Sequence, residues 1–265
     1  MRLGPKTLVA FVLYLISFTT YVITYETEAL IPFSVISSFA FWIGVGLTIP
    51  TSFYYTTFVK VKKGLPYLLT MSTYLLFHVL LYGIFYNVIL TEGLGQKILF
   101  YPFFSLGFGV AVPTSPPLFL YWVSTSPGFW TFIGPFESDT TPYSLFVGII
   151  LSLLLGANVV TLLKLRTLIK DVKKSLLTLT AIPTLAIVSG TSCCLSLPSI
   201  VLYVIGIASG SIYSILGILA SPIFFALSYY GLPLASVALL LVNLRDMNRW
   251  TRKIETYLAV KGRSS

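Results

Sequence analysis

Charge is what this chain has least of. Only 9% of its 265 residues are charged, against about 25% in a soluble globular domain. So few charges cannot solvate a surface in water. A soluble enzyme, an extended disordered protein and a nucleic-acid-binding domain are therefore excluded. Titratable chemistry is nearly missing too, with one histidine and two cysteines. No Asp or Glu falls inside a long apolar run. Proton and sodium pumping use intramembrane carboxylates, so an ion-coupled transporter is disfavoured. No P-loop lysine motif, zinc-metalloprotease helix, serine nucleophile elbow or haem-attachment pair is present. Asp139, Asp171 and Asp246 lie outside the apolar runs, which leaves an intramembrane aspartyl protease without its pair. These absences predict a protein that is not an enzyme.

What is present is apolar. Hydrophobic residues make up 56% of the chain and aromatics 15%, with a mean hydropathy of +0.92. A membrane span needs about 20 apolar residues, and several such runs are available. The formal charge of +9 is distributed as a topogenic signal. Basic residues cluster at Arg2 and Lys6, at Lys60, Lys62 and Lys63, from Lys164 to Lys174, and from Arg245 to Arg263; only Lys97 stands apart. Glu26, Glu28, Glu92, Glu137 and Asp139 lie between those clusters. Cytoplasmic loops are enriched in Lys and Arg, so both termini are expected in the cytoplasm and the number of spans is even. The clusters at 164–174 and 245–263 could also meet anionic headgroups.

The expected fold class is all-α: a polytopic integral membrane bundle in the cell membrane, with six spans plus broken or re-entrant segments. Residues 1–63 form a first helix hairpin. Residues 64–174 form a second, with an aromatic and proline-rich external region at 91–142. Within it, 98–136 carries no charge and twelve aromatics, and it is interrupted by six prolines. Prolines forbid a long regular helix, so this stretch is either an external cap in the aromatic interface zone or a pair of short, broken spans; the cap is the preferred expectation. Residues 175–244 are uncharged throughout, with candidate breaks at Pro183, Gly190, Pro198, Gly210, Pro222, Gly231 and Pro233. Residues 245–265 form a basic cytoplasmic tail, with Trp250, Ile254 and Leu258 on one face of a helix that could lie on the membrane. A single Gln and four Asn follow a thermophile tendency, although membrane composition depletes amides as well.

Two places could hold chemistry. His78 lies within the third apolar run, and an ionisable residue there is a functional candidate by default. As the one histidine it cannot make a bis-histidine haem site, so a cofactor role requires a ligand from a partner chain. The alternative is a neutral imidazole bonded to a neighbouring hydroxyl or carbonyl, with Tyr74 and Tyr82 one turn away on either side. The second place is the adjacent pair Cys193 and Cys194, within Ser189-Gly190-Thr191-Ser192-Cys193-Cys194-Leu195-Ser196-Leu197-Pro198. Neighbouring Cα atoms are about 3.8 Å apart, short of the 4.4–6.8 Å usual across a disulfide. Two thiols at a small-residue break could hold a soft metal ion such as copper(I), or could be two small buried apolar side chains at a helix crossing.

The Gly190–Cys194 run, followed by Pro198 and an apolar stretch to Ile205-Gly206-Ile207-Ala208-Ser209-Gly210, resembles the first-helix motif of MerT-type mercuric transport proteins. The resemblance covers about residues 185–225. It implies that Cys193 and Cys194 accept mercuric ion within a span and pass it inward. The sequence departs from that pattern in a proline placed one residue late, in four extra upstream spans, and in lacking a cytoplasmic cysteine pair to receive the ion.

Three functions are expected in order. The first is a non-catalytic integral subunit of a larger membrane complex, with a respiratory or redox assembly as the preferred setting. Its partners are the lipid bilayer and other membrane subunits, haem-containing ones among them, with no nucleic acid and no intrinsic cofactor. The second is a soft-metal carrier, mercuric or copper, using Cys193 and Cys194. The third is a transporter of an uncharged solute.

Overall fold

The computed structural model describes residues 4–24, 30–61, 64–81, 88, 91, 97–113, 115–168 and 197–261. The elements are α1 (Pro5–Thr24), α2 (Leu30–Thr48), α3 (Thr51–Tyr54), α4 (Leu65–Leu76), β1 (Phe104–Gly109), α5 (Phe119–Thr125), β2 (Gly128–Ile133), β3 (Phe136–Thr140), α6 (Pro142–Leu168), α7 (Leu197–Ala208), α8 (Ile212–Leu219), α9 (Pro222–Ala226) and α10 (Leu232–Lys261). Wider π-helical turns continue α3 over Tyr55–Val59, α4 over Phe77–Leu81 and α9 over Leu227–Gly231. Four helices are long and apolar enough to cross a membrane: Pro5–Thr24, Leu30–Thr48, Pro142–Leu168 and Pro222–Thr256. A shorter apolar helix covers Leu65–Leu80. These helices suggest a multi-pass membrane protein in a lipid bilayer.

The chain divides into two compact units. The first is Met1–Phe53 with Phe77–Val147. Its α1 and α2 form an antiparallel hairpin. Lys6 Nζ donates to the Ile49 carbonyl at 2.9 Å, and the Tyr14 ring lies against Gly44, where a Cβ would come within 2.9 Å of it. Leu8, Phe11 and Leu15 of α1 and Ile36, Phe39 and Ile43 of α2 stay exposed, as a lipid-facing surface requires. The interior holds Tyr21, Trp122 and Val123, with Phe41, Val110 and Phe119 packed around them.

The same unit departs from the all-α expectation. β1, β2 and β3 form an antiparallel sheet in that order. The reason is local. Phe104-Ser105-Leu106-Gly107-Phe108-Gly109 alternates with a period of two, as a strand does. Gly134, at φ +59°, and Pro135 close a two-residue turn between Ile133 and Phe136, matching the turn type that places Gly first. Gly107 and Gly109 are required by Trp130, whose indole lies flat over both; a Cβ at 107 would fall 1.8 Å from Nε1. The cap expectation is also modified. α5 packs along the flank of the α1–α2 hairpin, with Phe119 against Phe18, Tyr21 and Phe41, rather than beyond its end.

The second unit is Tyr54–Leu76 with Gly148–Ser265. α7 and α8 meet at Gly210, whose φ of +66° suits a residue without a Cβ. Ser221 caps α9, its Oγ accepting from Phe224 N at 3.2 Å. Chain breaks therefore fall at Gly210 and Pro222, as expected. At Gly231 and Pro233 there is none. Proline cannot donate to the ladder and crowds the preceding turn, and the π-helical turn Leu227–Gly231 takes up the misfit. The basic tail is helical, continuing α10 without a break to Lys261.

Candidate functional site

The two places singled out for chemistry have different outcomes. Cys193 and Cys194 lie outside the described residues, and so do Lys170, Asp171, Lys173, Lys174, Pro183 and Gly190. His78 is described. It sits in the π-helical turn Phe77–Leu81 and is 3% exposed. Its Nε2–H donates to the Ser144 carbonyl oxygen at 2.9 Å, which places the proton on Nε2. That nitrogen is committed to the first turns of α6 and is not a free ligand. The next residue is also tied down: the Val79 carbonyl accepts from Ser138 Oγ at 2.8 Å and Thr140 Oγ1 at 3.3 Å. Both hydroxyls come from β3. A π-helical turn disturbs the regular i→i−4 ladder, and β3 supplies donors there. Among the described residues no group of three or more His, Cys, Asp or Glu could hold a metal ion.

Among the described residues, buried polar side chains link the apolar helices along two seams that the sequence did not single out. The first joins α1, α2 and the chain after α5. Ser17, Ser34, Ser37, Ser38 and Ser126 are fully buried. Ser37 Oγ donates to the Ser17 carbonyl at 2.7 Å, and the two hydroxyls lie 3.2 Å apart. Ser38 Oγ donates to the Ser126 carbonyl, while Ser34 Oγ and Ser126 Oγ lie 3.1 Å apart. The Ala111 N–H donates to Ser126 Oγ at 3.1 Å. Two indoles finish the seam: Trp42 Nε1 donates to Val123 O and Trp122 Nε1 to Ala111 O, both at 2.9 Å. The available sequence signal was three serines of α2 at 34, 37 and 38, which share one helical face.

The second seam joins α6 to α10. Asn158 Nδ2 donates to Leu154 O at 2.8 Å in its own helix and to Leu240 O at 3.2 Å. Asn243 Nδ2 donates to Asn158 Oδ1 at 2.9 Å. Further along both helices Lys164 Nζ meets a Glu255 carboxylate oxygen at 2.7 Å. These contacts fix the relative direction. Moving from Asn158 to Lys164 advances α6 by about 9 Å, and from Asn243 to Glu255 advances α10 by about 18 Å. An antiparallel pair would carry those two ends apart, so the helices run parallel. The signal in the sequence was an asparagine within each of two apolar runs, Asn158 six residues before Lys164 and Asn243 two before Arg245.

Outside these helices, β3 carries Glu137 and Asp139, two residues apart and therefore on one sheet face. Loss of solvent against the sheet holds the Glu137 carboxyl above its usual range, and the Asp139 charge adds to this. Asp139 is raised by loss of solvent alone.

No family model, curated protein or solved structure matches the chain.

Proposed function

We propose that the chain is a non-catalytic integral subunit of a larger membrane complex, multi-pass in the cell membrane, with a respiratory or redox assembly as the preferred setting. The carrying observation is how intramembrane polarity is used. Buried Ser17, Ser34, Ser37, Ser38, Asn158 and Asn243 of the apolar helices bond one segment to another, a packing role for such side chains.

The parallel α6–α10 pair bears on the span count. Two neighbouring parallel spans require the chain between them to recross an odd number of times. One return, added to α1, α2, α4 with its continuation, α6 and α10, gives six crossings. With Lys6 beside the Ile49 end of α2 and Lys164 beside Glu255, the basic ends agree with cytoplasmic termini.

The test is native purification in mild detergent, with mass spectrometry of co-purifying chains, metal analysis and an absorption spectrum. Stoichiometric membrane partners, haem-containing or not, are the expected result. A lone chain holding about one copper or mercury, lost on Cys193→Ser with Cys194→Ser, overturns the subunit reading and supports the soft-metal carrier. That second reading rests on the vicinal cysteines and their resemblance to the mercuric transport motif. A purified chain that moves an uncharged solute across liposomes without partners overturns both.

A further inference from the structure

We infer that the β1–β2–β3 sheet is an amphipathic platform whose apolar face rests in the outer leaflet of the bilayer crossed by α1 and α2. The inference relies on reading those two helices as spans, and not on the subunit proposal.

The sheet has two chemically different faces. One presents Phe104, Leu106 and Phe108 of β1, exposed at 67%, 56% and 48%, with Phe129 opposite Phe108; its β3 margin, Ser138 and Thr140, is bonded to the Val79 carbonyl, so the open part is the β1 side. The other presents Glu137 and Asp139 on β3, paired with Phe132 and Trp130, both carboxylates reaching solvent. The chain leading into β1 adds Leu99 and Phe100, exposed at 80% and 66%. In water so large a contiguous apolar surface marks an interaction site.

Three observations select lipid as the occupant. The sheet is hydrogen-bonded into the α1–α2 hairpin through Ser126, which meets Ser34 and Ser38. Ser34 and Ser38 lie about 6 and 12 Å along α2 from Leu30, in the half of the span that the charge pattern assigns to the outside, so the strands begin at the level of the outer leaflet. Secondly, β1 pairs with β2 alone among the described strands. An open strand edge is not tolerated in hydrocarbon, but headgroup water can satisfy it. Aromatic side chains favour the same zone. Thirdly, Lys97, the one basic residue outside the basic clusters, is exposed just ahead of Leu99. A cation there complements lipid phosphate, its alkyl stem lying along the apolar surface.

The test uses the full chain with Cys193→Ser and Cys194→Ser, reconstituted in phosphatidylcholine–phosphatidylglycerol vesicles. Single variants Phe104→Cys, Leu106→Cys, Phe108→Cys, Glu137→Cys and Asp139→Cys carry a nitroxide. Oxygen collisions should exceed those of a water-soluble nickel chelate several-fold at 104, 106 and 108, and the order should reverse at 137 and 139. Equal nickel access at all five positions overturns the inference, as does exclusion of both reagents from 104–108, which would mean a protein covers the face. The unsubstituted chain gives an independent readout. A lipid-partitioning carbene probe should label residues 99–108 together with α1 and α2. Labelled helices with an unlabelled 99–108 overturn the platform. Unlabelled helices overturn the span reading on which it rests.

Discussion

The serine seam and the asparagine pair hold helices together by different chemistry. A serine hydroxyl is small and can fall back on a carbonyl of its own helix when a partner is lost. The first seam therefore spreads its bonding over five serines and two indoles. An asparagine amide has two donors and an acceptor, and Asn158 uses all of these on Leu154, Leu240 and Asn243. The second seam thus depends on one side chain. The difference teaches that distributed hydroxyl bonding should tolerate single losses, whereas a concentrated amide should not.

The largest expected effect is at that amide. Asn158→Ala strands the Asn243 Nδ2 donor and should cost about 2 kcal/mol, within the range of about 1–3 for a buried polar group left unsatisfied. Reversible unfolding in mixed micelles would measure it. The double variant Asn158→Leu with Asn243→Leu should recover much of the loss, and equal damage in single and double variants would contradict concentrated bonding.

Next comes Gly107→Ala, which breaks the first unit without touching its hydrogen bonds. The new methyl meets the Trp130 indole, and the expected cost is about 1–2 kcal/mol, typical of overpacking. It should largely vanish in a Trp130→Ala background, as a thermal-shift series would reveal. Ser38→Ala should cost less, about 1 kcal/mol for one hydrogen bond, and Ser38→Ala with Ser37→Ala should be close to additive. Strong non-additivity would mean the serine seam acts as one unit after all.

The smallest effects are at the charged margins. Lys164→Met should cost under about 1 kcal/mol, as for exposed ion pairs, and the loss should shrink as salt is raised. Glu137 and Asp139 have an opposite sign. A carboxyl whose folded pKa is raised binds its proton more tightly in the folded state, so folded stability is highest at low pH. It falls as pH rises from the ordinary carboxylate value of about 4 through the raised one. Glu137→Gln with Asp139→Asn should flatten that slope in a melting-temperature profile and raise stability at neutral pH.

Much of the helical framework could be read from the sequence. The apolar runs of α1, α2, α6 and the Pro222–Leu244 stretch stand between charged segments, and hydropathy with Lys and Arg position is enough to find them. The breaks at Gly210 and Pro222 were readable for the same local reasons. The sheet was harder. Its period-two pattern over Phe104–Gly109 lies in a stretch where six prolines draw attention to breakage rather than pairing. The partners of the candidate site were not legible. Ser144 is 66 residues from His78 and Ser126 is 88 from Ser38. Nothing in the local pattern names such distant partners, because register between helices is set by packing.

The common direction of α6 and α10 has a consequence for biogenesis. Asn158 is synthesised 85 residues before Asn243. While that length of chain is still emerging, the Asn158 amide is held by Leu154 within its own helix. The lasting partner arrives only with α10. A chain stopped short of Asn243 would carry an amide in search of a mate, a handle by which a membrane quality-control protease or chaperone could tell an unfinished molecule from a finished one.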